Sequence, residues 1–290
     1  MRGSEHMRVY THGSYSYVRV AEIPKSEIEK IDFATTKEPK ESVQSFYDRQ
    51  TKKPDVLTNL GFFALSTGEP SFNFVDDGKT MSSNKSYKWG FGILGDNDIR
   101  YGELNSKKWR DFISGYPVLL DNGRKCSYDY ASEIGAKARR TAIGYNDDTV
   151  FVVCVENPGM DFPSLQNLMV NVGCKYAINL DGGGSTKMIA NGEVITNNYT
   201  NRAVDSVLSV YLKEKKIIYR CQVGAFGIRA NANALLAKIK SLGMQYSGAF
   251  VKKVGNVYKV QVGAFTNKTF ADNMVADLKS NGYDAFIVTD

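Results

Sequence analysis

Carboxylates, rather than imidazoles or thiols, are the groups this chain offers for acid–base chemistry. His6 and His12 are its only histidines, and both lie near the start, so neither a zinc site nor a Ser-His-Asp triad is expected. The four cysteines, Cys126, Cys154, Cys174 and Cys221, share no CxxC spacing. Cys154, Cys174 and Cys221 sit in or beside apolar runs, where a free thiol behaves as a small buried hydrophobe.

The strongest local pattern is Asn179-Leu180-Asp181-Gly182-Gly183-Gly184-Ser185-Thr186. An apolar strand delivers one carboxylate to its end, and three glycines then let the backbone turn sharply and approach a ligand closely. That suits an anionic substrate held beside a catalytic acid or base. It is no nucleotide P-loop, because Lys187 follows the hydroxyl residue instead of preceding it. Arg139-Arg140-Thr141-Ala142-Ile143-Gly144 carries two guanidinium forks suited to phosphate oxygens, one of which is expected to face a site. Asn59-Leu60-Gly61-Phe62-Phe63 ends another apolar approach, with Glu69 and Asp76-Asp77-Gly78 following. Asp96-Asn97-Asp98 lacks the glycine and later ligands of a calcium loop and reads as a hairpin tip.

The elements that must position these groups read as an α+β chain in two domains. Residues 9–212 form the larger domain, mainly strands and tight turns, with Asn122-Gly123 and Asn191-Gly192 as hairpin signals. Thr149–Val155 is a wholly apolar, central strand, Ser164–Val172 has helical spacing, and Tyr176–Leu180 is a strand ending at Asp181. Residues 217–290 form a small domain marked by a repeat: Gln222-Val223-Gly224-Ala225-Phe226 returns as Gln261-Val262-Gly263-Ala264-Phe265. Each copy ends a strand and precedes a helix, the first striped by Leu235, Leu236, Ile239 and Leu242, the second by Met274, Val275 and Leu278. Strands at Tyr246–Val251 and Ala285–Val288 complete a four-stranded sheet with two helices on one face. Lys213–Lys216 is a short charged linker.

Of the net charge of +6, +5 lies beyond residue 216, so the small domain is expected to meet an acidic partner such as an anionic cell wall or nucleic acid. Nucleic acid is the weaker choice, because the repeat lacks the aromatic pattern that stacks bases. No apolar run is long enough to span a bilayer. Met1–Met7 looks like a tag remnant, which leaves a trimmed export signal open.

Together Asn59–Phe63, Arg140–Gly144 and Asn179–Ser185 resemble the phosphodiester glycosidase family, with Ser114-Gly115, Gly159-Met160 and Arg202-Ala203-Val204 in the family's order. Leu60 stands where the family has a glycine, and Glu156-Asn157 where many members have Asp-Gly; both bear on the shape of the sugar pocket. The tail resembles a SPOR domain, a small ferredoxin-like module that binds peptidoglycan glycan strands. The resemblance implies a mixed-sheet domain that cleaves a sugar C1–O–phosphate bond in a cell-envelope glycopolymer, outside the cell, made by a bacterium or a phage.

The implied transition state is oxocarbenium-like, and a phosphate leaves with little need of an acid. Asp181 is then the essential carboxylate, as nucleophile or as base for water, with Glu69 as partner acid. Arg140, with Arg202, meets the phosphate, and Asn59, Gly61 and Thr141 bind substrate. The backbone of Gly182, Gly183, Gly184 and Ser185 cradles phosphate oxygens. Gln222, Gln261 and Tyr258 are expected to share a sheet face that binds peptidoglycan. No cofactor is called for, and a divalent cation such as calcium stays open. The alternative is a non-catalytic wall-binding protein.

Overall fold

The computed structural model describes residues 6–37, 40–127, 135–197, 201–214 and 217–289. Lys215 and Lys216 of the expected linker lie outside the described residues. The chain divides into two compact units, Met1–Lys213 and Glu214–Asp290.

The first unit is built on three larger sheets and a two-stranded ribbon of Glu41–Ser42 with Ala203–Val204, and every strand pairing among its described residues is antiparallel. The longest runs Arg8–Thr11, Val18–Pro24, Thr149–Met160, Ala138–Tyr145, Tyr176–Asn179, Val118–Asp121 and Arg124–Lys125 in spatial order. Thr149–Met160 is apolar through its first half because both of its faces are covered. Val150, Val152 and Cys154 enter one core, shared with the other two sheets, while Phe151, Val153 and Val155 enter a second core under a helix. That helix, Phe162–Asn171, buries Leu165, Leu168 and Met169. The Asp161 side chain caps it by accepting from the Ser164 N–H at 2.8 Å, and Gly173 closes it at φ 101°.

The second sheet orders Lys79–Ser82, Phe74–Asp76, Asp111–Ser114, Trp89–Leu94 and Asp98–Glu103. The third orders Glu193–Val194, Met188–Ala190, Val56–Asn59, Ser206–Leu212 and Ile28–Thr35. Both Asn-Gly pairs form the tight hairpins expected, with Asn122 and Asn191 at positive φ before their glycines. Residues 96–98 turn between Trp89–Leu94 and Asp98–Glu103, as a hairpin tip should. A seven-residue helix, Val43–Arg49, had no forecast in the sequence. It forms because Ser42 caps it and Val43 and Phe46 reach a small core under the third sheet.

The second unit has four antiparallel strands in spatial order Phe250–Val254, Val257–Phe265, Tyr219–Phe226 and Phe286–Thr289. Numbered along the chain this is second, third, first, fourth, the split βαβ arrangement of a ferredoxin-like module. Helices Arg229–Ser241 and Lys268–Ser280 bury Ile239, Ala271 and Leu278 against Cys221 and Val262. The strand expected from Tyr246 begins only at Phe250. Tyr246 closes a 3₁₀ turn, fully buried, because its ring fills the core beneath the helices.

Candidate active site

Asp181 stands one residue beyond the core residue Leu180, where the strand Tyr176–Asn179 leaves the long sheet. Its backbone is fixed from two sides. The Asp181 N–H donates to the Leu60 carbonyl at 3.1 Å, and Asn59 Nδ2 donates to the Asp181 carbonyl at 2.6 Å. The glycines then fold the chain back on itself. The Gly182 N–H donates to Asp181 Oδ1 at 2.8 Å, and the Ser185 N–H donates to the Gly182 carbonyl at 3.0 Å. Gly183 takes φ 57°, and a Cβ on Gly184 would lie 2.4 Å from the Arg202 guanidinium carbon. Arg202 thus lies against the turn, which admits it only because Gly184 has no side chain. Burial raises the pKa of Asp181, while the Ser185 hydroxyl, the Gly182 N–H and the Arg202 charge all lower it. The Ser185 hydroxyl is buried beside the carboxyl but completes no hydrogen bond of ordinary geometry.

A second carboxyl belongs to this corner. The Leu60 N–H donates to the Ser206 carbonyl at 3.1 Å, and the Gly61 N–H donates to Ser206 Oγ at 3.0 Å. Ser206 Oγ in turn donates to Asp205 Oδ1 at 3.1 Å. Leu60–Gly61 therefore bridges Asp181 to Asp205, and a Cβ on Gly61 would crowd Ser206 Oγ at 2.9 Å. Asp205 is 3% exposed, and its Oδ2 is buried with no hydrogen-bond partner among the described residues. Burial pushes its pKa up to about 7, aided by the negative charge of Asp181 and opposed by Ser206 and Lys40. The sequence reading stopped one residue short of Asp205, at Arg202-Ala203-Val204. The available signal was an acidic residue opening the apolar strand Ser206–Leu212, the mirror of Asp181 closing one.

The other expected residues fall into distinct places. Asn59 is fully buried, and its Oδ1 accepts from Thr141 Oγ1 at 2.9 Å and from the Lys187 N–H at 3.2 Å, so its side chain braces protein. Arg140 is 6% exposed, with Nε on the Met160 carbonyl at 3.1 Å and a second nitrogen on the Ala136 carbonyl at 2.7 Å. Its guanidinium carbon lies 4.1 Å from the Phe162 ring centroid. Glu69 is exposed and lines a cavity of about 280 Å³ together with Asp205, Lys40 and Thr35. Leu60 points into the core, fully buried, so the change from glycine is absorbed by apolar packing. Glu156 is buried against Arg19, 2.9 Å away. Among the described residues no three His, Cys, Asp or Glu side chains converge to hold a metal ion, and no helix is long and apolar enough to cross a membrane.

In the second unit Gln222 and Gln261 pair directly across the two central strands. They share that row with Phe286 and Phe250, which pair with them on the outer strands. The row lies on the face opposite Cys221 and Val262, and hence opposite the helices. Both glutamines are nearly buried, and each has an Oε1 without a partner. Tyr258 precedes Gln261 by three residues on a regular stretch of strand, so it projects to the other face, with Lys253 Nζ 5.6 Å from its ring centroid. The aromatic neighbours of the glutamines are the two phenylalanines, which only strand register reveals.

Comparison with known proteins gives two family matches: phosphodiester glycosidase over residues 52–211 and SPOR domain over residues 215–289. The mouse N-acetylglucosamine-1-phosphodiester alpha-N-acetylglucosaminidase is 29% identical over 164 residues, 47% of this chain and 32% of the mouse protein. The match thus spans about a third of the curated relatives' length. The catalytic domain of the zebrafish enzyme of the same name, auto-inhibited by its pro-peptide, shares the fold with a TM-score of 0.55 and 22% identity, covering 71% of this chain and 82% of that one. The peptidoglycan binding domain of a Bacillus subtilis cell wall lytic enzyme is 33% identical, covering 27% of this chain and 95% of that one, with a TM-score of 0.25.

Proposed function

Since the chain belongs to the phosphodiester glycosidase family and carries a SPOR domain behind that region, we propose that it hydrolyses the bond between a sugar C1 and a phosphate oxygen in a cell-envelope glycopolymer. The observation that carries this reading is the bridged pair Asp181 and Asp205. One carboxyl is surrounded by hydrogen-bond donors and an arginine, and the other has a buried oxygen left open. Environments that separate two carboxyls in this way give one ionised and one protonated group near neutral pH.

Burial leaves the Asp181 pKa raised, but Ser185, Gly182 and Arg202 offset it, so of the two carboxyls Asp181 is the one we assign as ionised. It stabilises the positive charge developing at the anomeric carbon, as nucleophile or as base for water. Asp205 is the protonated member and donates its proton to the leaving phosphate oxygen. Water supplies the oxygen that ends on C1, and the C1–O–phosphate bond breaks. Arg202 is the better candidate for the phosphate, because the Arg140 guanidinium is already spent on two carbonyls and Phe162. Gly61 leaves room for the bridge, and Asn59 and Thr141 hold Asp181 in place. Phosphate oxygens approach the turn at Gly183, since the Gly182 and Ser185 N–H groups are engaged within it.

The SPOR unit supports a peptidoglycan partner and a place in the cell envelope, whether a bacterium or a phage makes the protein. Its glycan-facing row is Phe286, Gln222, Gln261 and Phe250, where the exposed Phe286 ring offers a face for a sugar to stack on. Holding the enzyme on the wall raises the effective concentration of the attached polymer. The test is sugar release from UDP-N-acetylglucosamine and from peptidoglycan-free glycosyl-phosphate polymer by the parent, Asp181→Asn and Asp205→Asn. The proposal expects release by the parent, none above background by Asp181→Asn, and reduced release by Asp205→Asn; release by Asp205→Asn equal to the parent's at all pH values removes that residue from the reaction.

A further inference from the structure

We propose that an aromatic groove beside the catalytic corner binds a second sugar–phosphate unit, so that the enzyme takes extended glycosyl-phosphate chains in preference to a single glycosyl phosphodiester. This rests on the hydrolase reading above and specifies its substrate class. The groove has a volume of about 460 Å³, and its lining among the described residues includes Trp89, Tyr101, Tyr87, Tyr116 and Lys88.

Trp89 is 45% exposed, unusual for the largest apolar side chain unless it serves a ligand. It is not loose. Its ring stacks on Tyr101 at 5.1 Å between centroids, Tyr101 stacks on Tyr176 at 5.5 Å, and Tyr176 stacks on Tyr145 at 5.1 Å. Tyr145 anchors the ladder in the core, its hydroxyl accepting from the Tyr101 N–H at 2.8 Å. Trp89 thus ends a rigid stack, with one face covered and the other free for the C–H face of a pyranose.

The groove is tied to the reacting corner by two routes. The Tyr116 N–H donates to the Asn179 carbonyl at 3.1 Å, and Asn179 Nδ2 donates back to the Tyr116 carbonyl at 2.7 Å, two residues before Asp181. Tyr116 and Tyr87 also sit in one aromatic cluster with Phe72, which packs on Phe62, the neighbour of Gly61. A chain with its reacting sugar at Asp181 can therefore lay its next sugar on Trp89 and its next phosphate near Lys88. Lys88 on the wall fits a polyanion over a neutral glycan.

The test uses the full chain and peptidoglycan-free poly(N-acetylglucosamine 1-phosphate), so that the SPOR unit has no peptidoglycan to hold and its charge is common to parent and variant. Binding is read in the inactive Asp181→Asn background by isothermal titration calorimetry, with tryptophan emission as a second readout wherever Trp89 is present. Trp89 is the solvent-facing reporter there, since Trp109 is buried. The expected result is a polymer-dependent emission change and a loss of about tenfold in polymer affinity on Trp89→Ala. With Asp181 restored, Trp89→Ala raises KM for the polymer by a similar factor while KM for UDP-N-acetylglucosamine, too short to reach the groove, stays put. Unchanged polymer affinity overturns the proposal, as does an equal loss on both substrates, which would assign Trp89 to the reacting sugar. Trp89-dependent binding by a parent that turns over neither substrate upholds the groove while sinking the hydrolase reading.

Discussion

Asp205 carries a pH signature of its own. Its pKa, pushed up to about 7 in the folded protein, exceeds the unfolded value near 4. The folded state therefore holds a proton that the unfolded state has lost, and stability falls as pH rises through that window. Asp205→Asn removes the burden: it should be more stable than the parent at pH 8, by about 4 kcal/mol at most, with the gap closing below pH ~4. Denaturant melts of both proteins across that range check the sign, and a parent more stable than the variant at pH 8 contradicts it. Because the protonated form is the useful one, kcat of the parent should decline as pH rises through about 7, and that limb should vanish in Asp205→Asn. Asp181→Asn should cost roughly 10²–10⁴-fold in kcat with an unchanged melt. Asp181 was legible in the sequence because three glycines announce it. Asp205 was not, since its importance comes from the Leu60–Gly61 bridge, which joins strands of different sheets far apart in the chain.

At the scale of elements, what could be read was whatever depends on neighbours in sequence. The two Asn-Gly hairpins, the doubly buried strand through Val150–Val155 and the helices after each repeat follow from turn chemistry and periodicity. The helix Val43–Arg49 escaped notice because seven residues give too few turns for a stripe to show. Tyr258 was assigned to the glutamine face because the sequence shows composition, whereas facing depends on counting along a regular strand. Asn59 looked like a sugar ligand for the same reason: a side chain that braces two sheets and one that greets a ligand have the same letter. Asn59→Ala should accordingly destabilise the first unit by about 1–3 kcal/mol, since it strands buried donors and acceptors. A melt within experimental error of the parent would return Asn59 to the substrate side. In the second unit, Phe286→Ala should reduce pelleting with peptidoglycan, while Tyr258→Ala, on the helix side, should not; the reverse ranking would place the glycan on the other face.

On the proposed reading, the whole molecule couples a reaction to an address. The reaction belongs to residues of the first unit and the address to the second, each with its own core. Severing the chain between them should leave turnover of a soluble substrate within about twofold while lowering sugar release from intact walls by one or two orders of magnitude, as expected when effective concentration is lost. The +5 charge beyond residue 216 should give wall binding a salt dependence that hydrolysis of the soluble substrate lacks. Composition and the repeat made this division readable before any coordinates, whereas the polymer each unit meets is written in side-chain faces. The most direct measurement of the central claim is sugar release from UDP-N-acetylglucosamine and from peptidoglycan-free poly(N-acetylglucosamine 1-phosphate) by the parent beside Asp181→Asn. The account predicts free sugar from the parent and none above background from the variant. Equal release from both, or no release from either while both still pellet with peptidoglycan, contradicts it.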